Sequence, residues 1–189
     1  MQGNAFCSRL TFTSAGLLET QDTSLINAAK LSTQGIDFSA DYRFSVWATD
    51  TIGLKLTGTY LMGLATIAQA NDPSTKSVSG GAYTNPRVRL NLTAGYDESN
   101  WGVSITNRFI SGSIIDRTAL PEARVSNSVP ATIYTDATVR YDISDNLSGF
   151  IGINNVFDIE PPQTAQTYNR GDTYDLIGRF LHAGVTAKF

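Results

Sequence analysis

The chain has 189 residues, 41% of them hydrophobic and 16% charged, with a net charge of −3 and an isoelectric point near 5.0. That length fits one all-β domain able to bury a core, the composition is not that of a disordered chain, and no basic cluster points to nucleic acid. No run approaches the ~18–20 apolar residues of a spanning helix, which excludes helical membrane proteins and leaves β-barrels open.

Residues 1–24 carry no clear period and read as part of a loop, with the single cysteine, Cys7, lacking an internal disulfide partner. From 25 to 46 the pattern changes. Ile36, Phe38, Ala40, Tyr42 and Phe44 alternate with Asp37, Ser39, Asp41, Arg43 and Ser45. A period of two is a strand with one apolar and one charged face. The same pattern predicts strands over 51–63, 86–97, 100–110, 131–143, 146–157 and 173–189. In the second, Ile52, Leu54, Leu56 and Tyr60 oppose Lys55, Thr57 and Thr59. In the third, Val88, Leu90, Leu92 and Tyr96 oppose Arg87, Arg89, Asn91 and Asp97. The fourth sets Trp101, Val103, Ile105 and Phe109 against Ser104, Thr106 and Arg108. The fifth sets Ile133, Val139 and Tyr141 against Asp136, Thr138 and Arg140. The last ends on alternating apolar residues and Phe189, with His182, Thr186 and Lys188 facing the other way.

The connections alternate in length. Those at 47–50, 98–100 and 144–146 are short. Those at 64–85, 111–130 and 158–172 are long and rich in Gly, Pro, Ser, Asn and Thr, a loop composition. Outer-membrane barrels place short turns in the periplasm and long loops outside. With that orientation, Phe44, Tyr96, Trp101, Tyr141 and Phe189 fall on the apolar face at the periplasmic end. Tyr60, Phe109 and Phe157 fall at the other end. Two aromatic girdles around an aliphatic band suit a bilayer, where rings sit at the headgroup level. The opposite face carries Asp37, Asp41, Arg43, Arg87, Arg89, Arg108, Asp136 and Arg140, both signs together, as suits a water-filled or plugged lumen. Alternation alone also fits a soluble β-sandwich. Loop asymmetry and aromatic placement favour an antiparallel transmembrane β-barrel segment.

Particular motifs add a family. Gly152-Ile153-Asn154-Asn155-Val156-Phe157-Asp158, followed by Pro161-Pro162 and a loop with Tyr168, resembles the signature near the end of TonB-dependent outer-membrane receptors. Gly35-Ile36-Asp37 with Tyr42, Pro86-Arg87 opening a strand, and the terminal Phe189 resemble other parts of the same family. The resemblance implies about seven strands from the last third of a 22-stranded barrel, over 25–189. Residues 1–24 would be the remnant of an extracellular loop. The plug domain, the remaining strands and the TonB-binding segment would lie elsewhere, so a C-terminal fragment is expected. No signal peptide is read at the start. Cys7 would pair with a cysteine upstream.

The resemblance also implies a function. The expected activity is import of a scarce nutrient by energised movement of the plug. Siderophore-bound iron is the default cargo, with vitamin B12 or a saccharide as alternatives. Expected partners are outer-membrane lipid, the plug, the TonB complex and a small-molecule ligand. No cofactor, metal or enzymatic activity is expected. Tyr83, Arg117, Tyr168 and Arg170 stand in predicted outer loops and are candidate ligand contacts. The lone His182 has no metal-ligand partner at a useful spacing, and a hydrogen bond inside the lumen is its expected role. Arg179 breaks the parity by sharing the apolar side with Leu181. A soluble binding module and a small complete barrel, structural or enzymatic, are the competing readings.

Overall fold

The structure, a computed structural model, describes residues 9–23, 30–47, 49–68, 73–117, 119–120, 122, 126–162 and 173–188. Cys7, Tyr168, Arg170 and Phe189 lie outside the described residues. Seven long strands run antiparallel. They are β3 (Lys30–Ser45), β4 (Thr51–Ile67), β6 (Val88–Glu98), β7 (Trp101–Ile110), β10 (Thr132–Ser144), β11 (Leu147–Asn154) and β12 (Phe180–Ala187). Each pairs with its chain neighbour, in the order β12-β11-β10-β7-β6-β4-β3. The sheet is not closed, and β3 and β12 are its edges. Five further strands are short. β1 (Leu10–Phe12) and β2 (Leu18–Gln21) form a hairpin, β5 (Lys76–Val78) extends β4, and β8 (Ser113–Ile114) pairs with β9 (Ser128–Val129).

The expected alternation of turns holds. Tight turns join β3 to β4, β6 to β7 and β10 to β11, and the other connections are long. Strand bounds shift in physically readable ways. β4 runs on to Ile67, where β5 covers its extension. β11 stops at Asn154 because Asn155 adopts a left-handed φ of 49°, leaving Phe157 in the following turn. β12 starts at Phe180 rather than 173, because side chains capture the preceding backbone. Asp175 Oδ1 accepts from the Ile177 N–H at 3.0 Å, and Asp158 Oδ1 accepts from the Arg179 N–H at 2.8 Å. Arg179 therefore stands outside the strand, and the apparent break in parity disappears.

Register fixes the faces. Cross-strand partners share a side, and one row reads Tyr42, Leu54, Ala94, Ile105, Ala137, Ile153, Leu181. The adjacent row reads Asp41, Lys55, Thr93, Thr106, Asp136 on the other side. The apolar face is bare: Ile105 is 45% exposed, Ile151 66% and Val185 73%. Among the described residues no second sheet packs on it, so the sandwich reading fails. A contiguous apolar surface of this kind marks contact with a membrane or partner. Among the described residues a small core lies at the long-loop end, where Ile110, Val129, Tyr134 and Tyr174 are buried together. One break in the main ladder has a steric reason. Gly35 faces Leu61 while Gln34 faces Gly63, and a Cβ on Gly35 would sit 2.8 Å from the Tyr60 carbonyl oxygen.

Candidate functional site

At the tight-turn end, the aromatic residues of the apolar face have their polar tips tied to the turns. The Tyr96 hydroxyl donates to Asp50 Oδ2 at 2.5 Å. Trp101 Nε1–H donates to Glu98 Oε2 at 2.6 Å, and Asn100 donates to the Tyr141 hydroxyl at 3.4 Å. Tyr96 and Trp101 also meet ring to ring, 5.3 Å between centroids. Phe44 lies beside Tyr42 at the same end, 5.6 Å between centroids. This is the amphipathic geometry of an interfacial girdle, with apolar rings outward and polar atoms towards water. Tyr60 and Phe109 occupy the apolar parity near the loop end, opposite Val88 and Leu90 respectively.

The polar face carries the predicted charges. Asp37 accepts from the Thr59 hydroxyl at 2.6 Å, and Arg43 lies 3.6 Å from Asp41. Arg140 bridges Asp97 at 3.3 Å and also pairs with Asp142. Two rings lie flat on this wall: Phe150 over Gly184 and His182 over Gly152. His182 is stacked on Phe180 and meets Phe150 edge-on. Its Nδ1 is buried without a hydrogen-bond partner among the described residues. Among the described residues, ring packing rather than a hydrogen bond at Nδ1 holds His182.

Towards the loop end the polar face becomes a built cluster. Arg108 forms a fork on Asp136, with Nε–Oδ2 2.8 Å and Nη2–Oδ1 3.2 Å. Its Nη2 also reaches Asp175 Oδ2 at 3.4 Å, and its guanidinium covers the Tyr134 ring at 5.1 Å. Charge-assisted forks of this type are the strong, orienting hydrogen bonds. Asp136 Oδ1 accepts in addition from the Asn155 backbone N–H at 2.8 Å. Asn155 is fully buried. Its side chain imitates a strand partner, since Oδ1 accepts from Ile159 N–H at 2.9 Å and Nδ2 donates to Ile159 O at 3.0 Å. The start of the β11–β12 connection is thereby pinned to the wall, and Asp175 on Arg108 pins its end. Thr173 receives Arg89 at 3.4 Å. Tyr174 is buried, its hydroxyl has no hydrogen-bond partner among the described residues, and burial pushes its pKa up. A cleft of about 570 Å³ opens here, lined by Arg108, Asp136, Asn154, Tyr174 and Asp175 among others.

The remaining candidates stand in the loops above. Tyr83 packs against the small buried cluster. Arg87, just before β6, donates from Nη1 to Met62 O at 3.1 Å. Arg117 donates to the Gly80 carbonyl. Sequence reading passed over Tyr134, Tyr174 and Asp175, and named Asn155 only within the receptor-like signature. The available signal was parity: Tyr134 is an aromatic on the polar side of its strand.

A two-faced antiparallel sheet with tight turns at one end, long loops at the other and a bare apolar side is wall from a transmembrane β-barrel. The family model for TonB dependent receptor-like, beta-barrel proteins matches residues 5–156, about four-fifths of the chain. The chain belongs to that TonB-dependent receptor barrel family, whose members reside in the outer membrane and import nutrients. No curated protein matches the chain.

Proposed function

We propose that this chain forms wall and outer loops of a receptor that imports a scarce nutrient by energised displacement of a plug. The observation that carries the reading is the division of one sheet into a lipid-suited face and a charged face. In hydrocarbon every backbone polar group needs an internal partner, so the free edges of β3 and β12 require further strands to complete the barrel. The tight turns face the periplasm and the long loops the exterior. Asp37, Asp41, Arg43, Arg87, Arg89, Arg108, Asp136 and Arg140 then line the lumen, where the plug sits. Phe44, Tyr96, Trp101 and Tyr141 mark the inner interface, with Tyr60, Phe109 and Phe157 at the outer one. Phe189 belongs to the inner set by parity. Residues 1–24 belong to an outer loop.

Siderophore-bound iron is the cargo we favour. Catecholate and carboxylate chelates of ferric iron carry negative charge, and the mouth of this wall presents guanidiniums. Tyr83, Arg117, Tyr168 and Arg170 are the loop residues assigned to ligand contact. The test is uptake by iron-starved cells carrying or lacking the receptor gene, supplied with a panel of ferric chelates, cobalamin and oligosaccharides, each carrying its own radiolabel. Energy-dependent uptake of one ferric chelate, lost with the gene, is expected. Uptake of every compound unchanged by the deletion would overturn the reading.

A further inference from the structure

The loops at the outer mouth bring two cations together over one glycine. Gly81 has a φ of +85°, and it is held from several sides. Its N–H donates to Asn85 O at 2.8 Å, and its carbonyl accepts from Ile114 N–H at 3.1 Å. The preceding Gly80 N–H donates to Leu64 O at 3.2 Å, while Tyr83 N–H donates to Ile114 O at 2.9 Å. The turn is thus fixed to β4 on one side and to β8 on the other, with Tyr83 docked on the buried cluster beneath. It is a rigid platform built from two separate long loops.

On this platform Arg117 Nη2 lies 2.8 Å, and Arg87 Nε 3.0 Å, from the point a Gly81 Cβ would occupy. The two guanidiniums therefore stand within about 6 Å of each other, where like charges repel. Among the described residues neither has a carboxylate within 4 Å. Their donors go to neutral carbonyls instead, Met62 O for Arg87 and Gly80 O for Arg117. Arg89, two residues along the same face, likewise donates to a neutral group, the Thr173 hydroxyl. The contrast with Arg108 and Arg140 is direct, since each of those is matched by two aspartates. Arg87 is half-buried and Arg117 exposed, so the pair is open to solvent.

We infer that Arg87 and Arg117, converging over Gly81, form a binding site for a carboxylate or phosphate group of a small-molecule anion at the outer mouth. Two planar forks at this spacing can share the oxygens of one anion, the geometry in which arginine outperforms lysine. A Cβ at Gly81 would stand within 3.0 Å of both, so glycine is what lets the two approach. The siting at the mouth rests on the import reading above, whereas anion binding itself is read independently of transport.

The test uses the receptor purified from outer membranes in detergent, titrated calorimetrically with metal-free citrate and with inorganic phosphate. Wild type is expected to bind at least one of them, more weakly as sodium chloride is raised. R87Q/R117Q is expected to bind at least tenfold more weakly, and R87K/R117K to lie between. G81A should also weaken binding, its methyl group standing between the guanidiniums. Heat-modifiable mobility on gels confirms that each variant remains a folded barrel. If wild type binds neither anion, because an acidic side chain of the receptor itself neutralises the pair, the inference is overturned. Equal binding by R87Q/R117Q overturns it as well. Intact binding with no uptake of any cargo counts against the import reading alone.

Discussion

Asn155 shows how one side chain can organise a loop. Strand β11 must stop here and turn back towards β12, which demands two residues of left-handed backbone. The chain supplies Asn155 at φ 49° and Asp158 at φ 55°, residue types that tolerate this region better than others. Each then uses its side chain on nearby backbone, Asn155 on both polar groups of Ile159 and Asp158 on Arg179 N–H. The motif that resembles the receptor signature is, physically, a strand terminator with built-in caps. Replacing Asn155 by Ala removes both hydrogen bonds to the backbone of Ile159, at about 0.5–1.5 kcal/mol per bond. The N155A receptor should therefore open this loop more often, by roughly tenfold or more. Faster cleavage between residues 158 and 172 when intact cells are treated with protease would show it. Cleavage at the wild-type rate would mean that the Asp136 and Asp158 contacts suffice.

Strands were the legible scale of this sequence, and the reason is geometric. Side-chain period is 2 in a strand whatever the neighbours do, so Trp101, Val103, Ile105 and Phe109 announce a face without knowledge of their partners. β7 (Trp101–Ile110) accordingly matches its expected bounds almost residue for residue. Exceptions to parity were less legible because they depend on neighbours. Tyr134 faces the polar side since Arg108 lies over its ring. Asn107 and Thr135 sit on the apolar side and satisfy each other at 2.8 Å. The β1–β2 hairpin was read as plain loop, because strands of three and four residues are too short to show a period. The same face logic yields a mutational contrast on β7. Arginine at Ile105, mid-strand on the apolar side, should cost roughly 2–4 kcal/mol in a bilayer. Arginine at Thr106, its neighbour on the polar side, should cost far less. Urea unfolding of the two variants in lipid vesicles measures both, and equal destabilisation would reject the assignment of faces.

For the whole molecule, the open sheet and its bare apolar face are two aspects of one design. Only about four large hydrophobic side chains are buried among the described residues, far too few to hold a soluble domain of this size. In the proposed receptor the stabilising surroundings come from lipid on one side and from plug and water on the other. Fold class was accessible from the sequence because it follows from local period and connection length. The mouth was not. Arg87 and Arg117 are thirty positions apart, and their approach depends on Ile114 pairing with the Gly81–Tyr83 turn. No local pattern encodes that contact.

The central claim is that one face of this sheet meets lipid while the other lines an aqueous interior. Site-directed spin labels placed one at a time along residues 101–110, in the receptor reconstituted into vesicles, test it most directly. Collision rates with oxygen, which partitions into lipid, and with a water-soluble nickel chelate should alternate with a period of two. Labels at 103, 105 and 109 should favour oxygen, and those at 104, 106 and 108 should be less exposed to it. A uniform profile, or the opposite phase, would contradict the account.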